Sequence, residues 1–164
     1  MDESYLDSNF APLHHFTTVY TLAEIFSANT LNVGYYQNPY KDKKDYFVSL
    51  TRNKNLDLKQ RECNVRIDLD RNKLKNYYNI IPYDYFIHDK QEIYPKSNIK
   101  RIKEFEFEEI ILNNITNLNK YILNIDLTKD MYDIYVRRRD ILDYLNKYNI
   151  SLSVRDKKID IKTI

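Results

Sequence analysis

Residues 64–70 alternate between polar and apolar side chains without a break. Successive side chains of a β-strand point to opposite faces of its sheet, so this period of two is the strongest strand signal in the chain. The apolar side chains are expected on one face, and Arg66 and Asp68 are expected on the other. A chain that contains such a segment is predicted to fold around a β-sheet.

Other stretches extend this prediction to an α+β protein. Strand patterns recur at 13–16, 31–35, 45–53, 79–81, 104–112, 120–127, 152–154 and 159–161, and helical spacing recurs at 19–27 and from residue 129 or 130 to about residue 148. The strands outnumber the helices and have short connections between residues 46 and 127, which is typical of a mostly antiparallel sheet. We therefore predict a single domain over residues 1–164, with a loosely ordered arm at 1–11 and a C-terminal helix and strands at 129–164. Thr17 or Thr18 is expected to cap the first helix.

The composition excludes several classes of protein. The single glycine, Gly34, excludes Walker and Rossmann phosphate loops, which need several glycines. The single cysteine excludes an intramolecular disulfide and a cysteine-based zinc site, and it favours a reducing, cytoplasmic compartment. No apolar stretch reaches about 18 residues and no signal peptide is recognisable, so no membrane partner is expected. The net charge of +2 neither requires nor excludes a nucleic-acid partner. The abundance of Asn, Ile, Lys and Tyr is typical of AT-rich coding sequence, as in a phage or a low-GC bacterium.

An acidic row precedes the apolar run at 110–112. In a strand, Glu104, Glu106 and Glu108 share one face, and Glu109 lies on the other face with two phenylalanines. Like charges in one row repel each other, so such a row is expected either in water on an edge strand or in a site that uses the charge. Both readings remain open. In the second, two carboxylates hold a sugar hydroxyl and stabilise a developing cation, while Glu109 pairs with a cation or lies at the exposed end of the strand.

Two further polar groups lie near predicted strand ends. His14 and His15 alternate in the first strand, so at most one of them is expected to point into a site, and no metal site is expected because no partner has the required spacing. Ser49 and Thr51 share one face of their strand and precede Arg52, a combination that can orient a sugar or a phosphate. Taken alone, each group is more often found in an ordinary structural role.

Taken in order, these segments resemble the ADP-ribosyltransferase-like domains of the DNA-targeting toxin and phage type. There a Tyr-His-Phe-Thr strand leads into a helix with leucine and isoleucine, as in residues 13–31 here. Residues 47–53 resemble the second motif strand, residues 65–83 the central segment, and residues 106–111 with 117–122 the acidic motif and its continuation. The resemblance covers residues 13–127 and is carried by the order of the segments.

The resemblance implies a split β-sheet that takes NAD as a substrate, without a metal. The nicotinamide–ribose bond would be cleaved, and ADP-ribose would pass to a protein or nucleic-acid acceptor. Glu106 or Glu108 would stabilise the ribosyl cation, and His15 would hold the ribose. The other cofactor-binding candidates are Thr17, Tyr36, Ser49, Thr51 and Arg52.

Departures from the family patterns leave other functions open. The chain combines the histidine of one pattern with the Glu-x-Glu of another, and Leu50 and Thr51 stand where a second serine is usual. An inactive relative of the same fold would bind a host factor or a nucleic acid without turnover. A third alternative is a nucleic-acid binder that uses Arg137–Arg139, although these residues also fit a solvated helix face.

Overall fold

A computed structural model describes residues 12–37, 44–54, 63–83, 108–128 and 138–161, with only the backbone of residues 36, 37 and 44. The strands are β1 Leu13–Thr17, β2 Thr30–Leu31, β3 Gly34–Gln37, β4 Lys44–Thr51, β5 Val65–Leu69, β6 Ile81–Pro82, β7 Glu108–Ile111, β8 Ile115–Thr116, β9 Ile122–Leu127, β10 Ser151–Val154 and β11 Lys157–Ile159. The helices are α1 Val19–Ala28, α2 Arg71–Lys75 and α3 Arg139–Lys147, with a 3-10 turn at Leu118–Lys120.

Nine strands form one sheet in the order β11-β10-β9-β5-β1-β4-β7-β6, with β3 paired to β4, while β2 and β8 pair separately. Among the described strands, only β9 and β10 pair in parallel. The predicted α+β fold with a mostly antiparallel sheet is therefore confirmed. No helix in the described part of the chain is both long and apolar enough to cross a membrane.

One face of the sheet carries the main hydrophobic core. Val65, Ile67 and Leu69 of β5 are completely buried, as the alternation at 64–70 predicts, and they belong to one apolar cluster with side chains of α1 and α3. The two helices also contact each other: the ring of Phe26 in α1 stacks on the ring of Tyr144 in α3, with centroids 3.8 Å apart. Burial of apolar surface between this sheet face and the helices is the main force that holds the fold together.

The single strand predicted at 31–35 is wrong, because the structure has two short strands there. β2 ends at Leu31 and pairs with β8, whereas β3 begins at Gly34 and pairs with β4. Between them, the backbone N–H of Val33 donates to the side-chain oxygen of Asn114 at 2.8 Å. This hydrogen bond satisfies the backbone N–H of Val33 between the two strand pairs, β2 with β8 and β3 with β4.

The C-terminal elements also differ from the prediction. A continuous helix from residue 129 or 130 to residue 148 is wrong at Arg138, whose φ of −111° and ψ of 67° are not helical; residues 129–137 lie outside the described part. The predicted inward residues Ile141, Leu142 and Leu145 of α3 are buried. The last strand begins at Lys157 instead of residue 159, because Arg155 and Asp156 both adopt positive φ in a two-residue hairpin turn.

Helix α1 begins at an N-cap formed by Thr18, one of the two predicted caps. Its hydroxyl oxygen accepts a hydrogen bond from the backbone N–H of Thr21 at 3.3 Å. We expect Thr18→Ala to lower the free energy of unfolding by about 1 kcal/mol, because this N–H loses its partner. Thr18→Ser keeps the oxygen and is the matched control. Urea denaturation would show the difference, and an equal loss in both variants would contradict this role of the hydroxyl.

Candidate functional site

The sheet forks between β1 and β4. These strands have a single pair of facing residues, His14 and Thr51, after which β1 continues along β5 while β4 continues along β7 and β3. In an uninterrupted antiparallel ladder, Leu50 would face His15 and Ser49 would then face Phe16, but neither pair forms. On its other side Ser49 faces Ile110 of β7, and on the side towards β1 its backbone has no facing residue in that strand.

His15 lies in this fork. Its Nδ1 is 2.9 Å from the backbone carbonyl oxygen of Ser49. A carbonyl oxygen can only accept, so Nδ1 carries the proton and Nε2 of the neutral ring is an acceptor. Burial lowers the pKa of His15 below its ordinary value of 6.5, and the hydrogen bond to Ser49 opposes that shift without cancelling it. The imidazole thus replaces a backbone donor at the fork and remains neutral with one acceptor nitrogen.

A cleft with a volume of about 510 Å³ opens at the fork; we call it the fork cleft. Among the described residues, its lining includes His15, Thr21, Glu24, Tyr35, Val48 and Ser49. α1 contributes one wall and β3 and β4 contribute the other. A concave volume of this size, with apolar walls and a few polar groups, is what a small-molecule site requires.

Two of the predicted site residues, His15 and Ser49, therefore meet in the fork cleft. Thr17 and Thr51 are buried in the sheet, and the hydroxyl oxygen of Thr51 accepts from the backbone N–H of Asn53 at 3.0 Å. Neither threonine is among the described lining residues of the cleft. Tyr36 is described only by its backbone in β3, and its predicted contact with a ligand lies outside the described atoms.

The acidic row is described only from Glu108 onwards, and Glu104 and Glu106 lie outside the described residues. Glu108 is buried on β7 and faces Thr51 across the strand pair. By the alternation of side chains it lies on the face of the sheet opposite to His15. Glu108 is not among the described residues that line the fork cleft.

Glu109 forms ion pairs with two arginines, which is one of the two positions predicted for it from the sequence. It is 1% exposed, and its carboxylate accepts two hydrogen bonds from Arg71 at 3.1 and 3.2 Å. It also accepts from Nε of Arg52 at 3.1 Å and from Nη2 of the same side chain. The guanidinium of Arg52, a predicted cofactor-binding residue, therefore contacts Glu109, and Arg52 is not among the described lining residues of the cleft.

A second polar group lies on the sheet face opposite to His15; we call it the polar row. Its members face one another across six strands, in the order Ser151, Asn124, Asp68, His14, Thr51 and Glu108. Nδ1 of His14 lies 2.7 Å from Oδ1 of Asp68, and the amide of Asn124 donates to Oδ2 of Asp68 at 3.2 Å. The polar side of β5 is thus buried and internally hydrogen-bonded.

Arg66 is buried beside the polar row and is surrounded by carboxylates. Its guanidinium donates to Asp68 at 2.6 and 3.1 Å and to Asp156 at 2.8 Å, and Asp126 lies 3.8 Å away. Burial by itself would lower the pKa of Arg66, but its hydrogen bonds to Asp68 and Asp156 and the negative charges of Asp68 and Asp126 raise it. Burial would likewise raise the pKa of Asp68, yet the hydrogen bonds and charges of His14 and Arg66 lower it to about 2. Arg66 and Asp68 are both ionised at neutral pH.

Neither protein-family models nor curated proteins match this sequence.

Glu24 is a cleft residue that was not among the sequence-predicted site residues. It lies three residues after Thr21 on α1, so both side chains share the helix face that lines the cleft. This spacing is visible in the sequence, but only the tertiary structure places that face of α1 against the fork. Within the described residues, no group of three or more His, Cys, Asp or Glu side chains is arranged to hold a metal ion.

Proposed function

We propose that this chain is an ADP-ribosyltransferase-like protein that binds NAD in the fork cleft, cleaves the nicotinamide–ribose bond and transfers ADP-ribose to a protein or nucleic-acid acceptor. The arrangement of His15 carries the proposal. Its Nδ1–H is held by the carbonyl of Ser49, which leaves Nε2 as an acceptor for a ribose hydroxyl. We place its action in a bacterial or host-cell cytoplasm, for a protein encoded by a phage or a mobile element as a toxin or host-interaction factor.

The transfer makes defined demands on the residues of the chain. The bond between C1′ of the ribose and the nicotinamide nitrogen breaks, and its electron pair leaves with nicotinamide. An acceptor oxygen or nitrogen bonds to C1′ and loses its proton to a base. A carboxylate near C1′ stabilises the positive charge that develops there. Glu106 and Glu108 are the candidates for this role.

Two variants of His15 separate its hydrogen bond to Ser49 from its binding of ligand. His15→Asn retains an N–H donor close to the position of Nδ1 but lacks Nε2, whereas His15→Ala lacks both groups. We expect both to weaken NAD binding about five- to tenfold, because each loses a hydrogen bond to the ligand. Only His15→Ala should also lower the free energy of unfolding, by about 1 kcal/mol, because the Ser49 carbonyl loses its partner. Titration calorimetry and urea denaturation measure the two effects, and wild-type affinity in His15→Asn would contradict the proposal.

Turnover is tested with labelled NAD and a cell lysate. Transfer of label should fall in Glu106→Gln and Glu108→Gln, whereas Asp143→Asn, on the exposed face of α3, is the control for the loss of one negative charge. Equal transfer by all of these variants would exclude the acidic row from catalysis. Absence of transfer and of nicotinamide release by the wild-type chain would exclude the enzymatic function.

A second function is favoured by the position of Glu108. Because this residue lies on the face opposite to His15, a fold that binds a ligand without turnover agrees with the described geometry. Such a protein would bind a host factor or a nucleic acid. It would bind NAD or a macromolecule without releasing nicotinamide. Its affinity would be the same in the wild type, Glu106→Gln and Glu108→Gln.

A further inference from the structure

Glu24 stands at the fork cleft without a visible structural role. It is exposed in the middle of α1, away from the first and last turns where charges act on the helix dipole. Within the described part of the chain, no hydrogen bond or ion pair of its carboxylate is observed. Replacement of this side chain should therefore leave the fold unchanged.

Among the described lining residues of the cleft, Glu24 is the one charged side chain, and the neutral hydroxyl and amide side chains can donate as well as accept hydrogen bonds. The carboxylate of Glu24 only accepts hydrogen bonds, and His15 offers the lone pair of Nε2 because its Nδ1–H is used by Ser49. The hydroxyl of Thr30, also in the lining, already donates to the carbonyl of Ala28 at 3.1 Å. Because the one charge in the described lining is negative and Nε2 of His15 is an acceptor, the cleft favours a ligand that carries a positive charge and a hydroxyl donor.

We propose that Glu24 makes the fork cleft selective for a positively charged, hydroxyl-bearing ligand. A phosphate would be repelled by this carboxylate, so a dinucleotide would place its cationic end here and its phosphates elsewhere. This inference rests on the proposed function only for the identity of the ligand: with NAD, the group in the cleft is the positively charged nicotinamide riboside. The oxidised cofactor should then bind more tightly than the reduced one, whose nicotinamide ring is neutral.

Two small probes test the charge without the rest of the dinucleotide. 1-Methylnicotinamide is a cation, and nicotinamide is neutral with nearly the same shape. NMR titrations of the full chain should show tighter binding of the cation to the wild type. Glu24→Gln should weaken binding of the cation about two- to fivefold, the range of one exposed charge pair, and should leave nicotinamide unchanged. Asp143→Asn removes one negative charge from an exposed residue that is not among the described lining residues, and it should change neither affinity.

Parallel titrations with oxidised and reduced NAD distinguish the two proposals. A cation preference that depends on Glu24, without binding of NAD, would support this inference and overturn the proposed function. Binding of NAD with no effect of Glu24→Gln on the preference for the oxidised form would overturn this inference and leave the proposed function standing. Equal affinity for both small probes, or binding of neither, would also overturn it.

Discussion

Arg66→Met is expected to lower the free energy of unfolding by about 3–5 kcal/mol, because it leaves buried carboxylates without their cation. Asp126 is 1% exposed and Asp68 is 8% exposed, and the guanidinium of Arg66 lies within 4 Å of both. Methionine fills part of the same volume but supplies neither charge nor hydrogen-bond donors. Urea denaturation at neutral pH measures the loss.

Two controls distinguish charge from packing in this experiment. Arg139→Met breaks the exposed pair with Asp143, whose atoms are 3.5 Å apart, and should cost less than about 1 kcal/mol. The double variant Arg66→Met/Asp68→Asn removes one of the stranded charges and should regain part of the loss. A double variant that is less stable than Arg66→Met alone would show that lost packing, and not uncompensated charge, explains the effect.

The stability of the wild-type chain is expected to fall by about 2 kcal/mol through Asp68 alone between about pH 4 and pH 2. The pKa of this carboxyl is about 2 in the folded chain, compared with its ordinary value of 3.8. Because the folded-state pKa is the lower one, the stabilisation is fully present above pH 4 and is lost as the pH falls through about 2. The free energy of unfolding, measured in urea from pH 6 to pH 2, follows this loss.

Asp68→Asn removes the titrating carboxyl group, so it is the control for the pH dependence of the free energy of unfolding. This variant should be less stable than the wild type at neutral pH, because Arg66 and His14 lose a charged acceptor. The gap between the two chains should narrow as the pH falls from 4 to 2. Asp143→Asn, at an exposed position, should follow the wild type at every pH. A gap of constant size would show that Asp68 has the same pKa in the folded and unfolded chains.

The candidate site was predictable in part. The alternation in β1 limited the choice to one histidine, and the structure places His15 in the fork cleft with Ser49. The sequence could not show that Arg52 is held by Glu109, because these residues are 57 positions apart. Nor could it place Glu24, whose helix face meets the cleft only through the packing of α1 on the sheet.

The sequence by itself determined those strands and helix starts that depend on interactions between residues close together in the chain. The period of two in residues 64–70 determined strand β5 and its apolar face, and the threonine pair at 17–18 limited the start of α1 to two positions. Helix α2 begins in the same local way, because the carboxylate of Asp70 accepts a hydrogen bond from the backbone N–H of Lys73 at 3.1 Å. These interactions span three or four residues, so they can be read from the letters. The prediction was wrong where distant groups intervened, as at Val33, whose backbone bonds to Asn114.

Only the tertiary structure decided whether the polar side chains on the sheet face opposite to the main core are buried or exposed. A polar side of a strand is ordinarily expected in water, yet Arg66 and Asp68 are buried there, and Asp126 from β9 lies beside them. Whether such groups are solvated or paired depends on side chains that other strands bring within 3–4 Å, and that proximity is not encoded in any local pattern. The fork between β1 and β4 arises in the same way, since it depends on which neighbours each strand has.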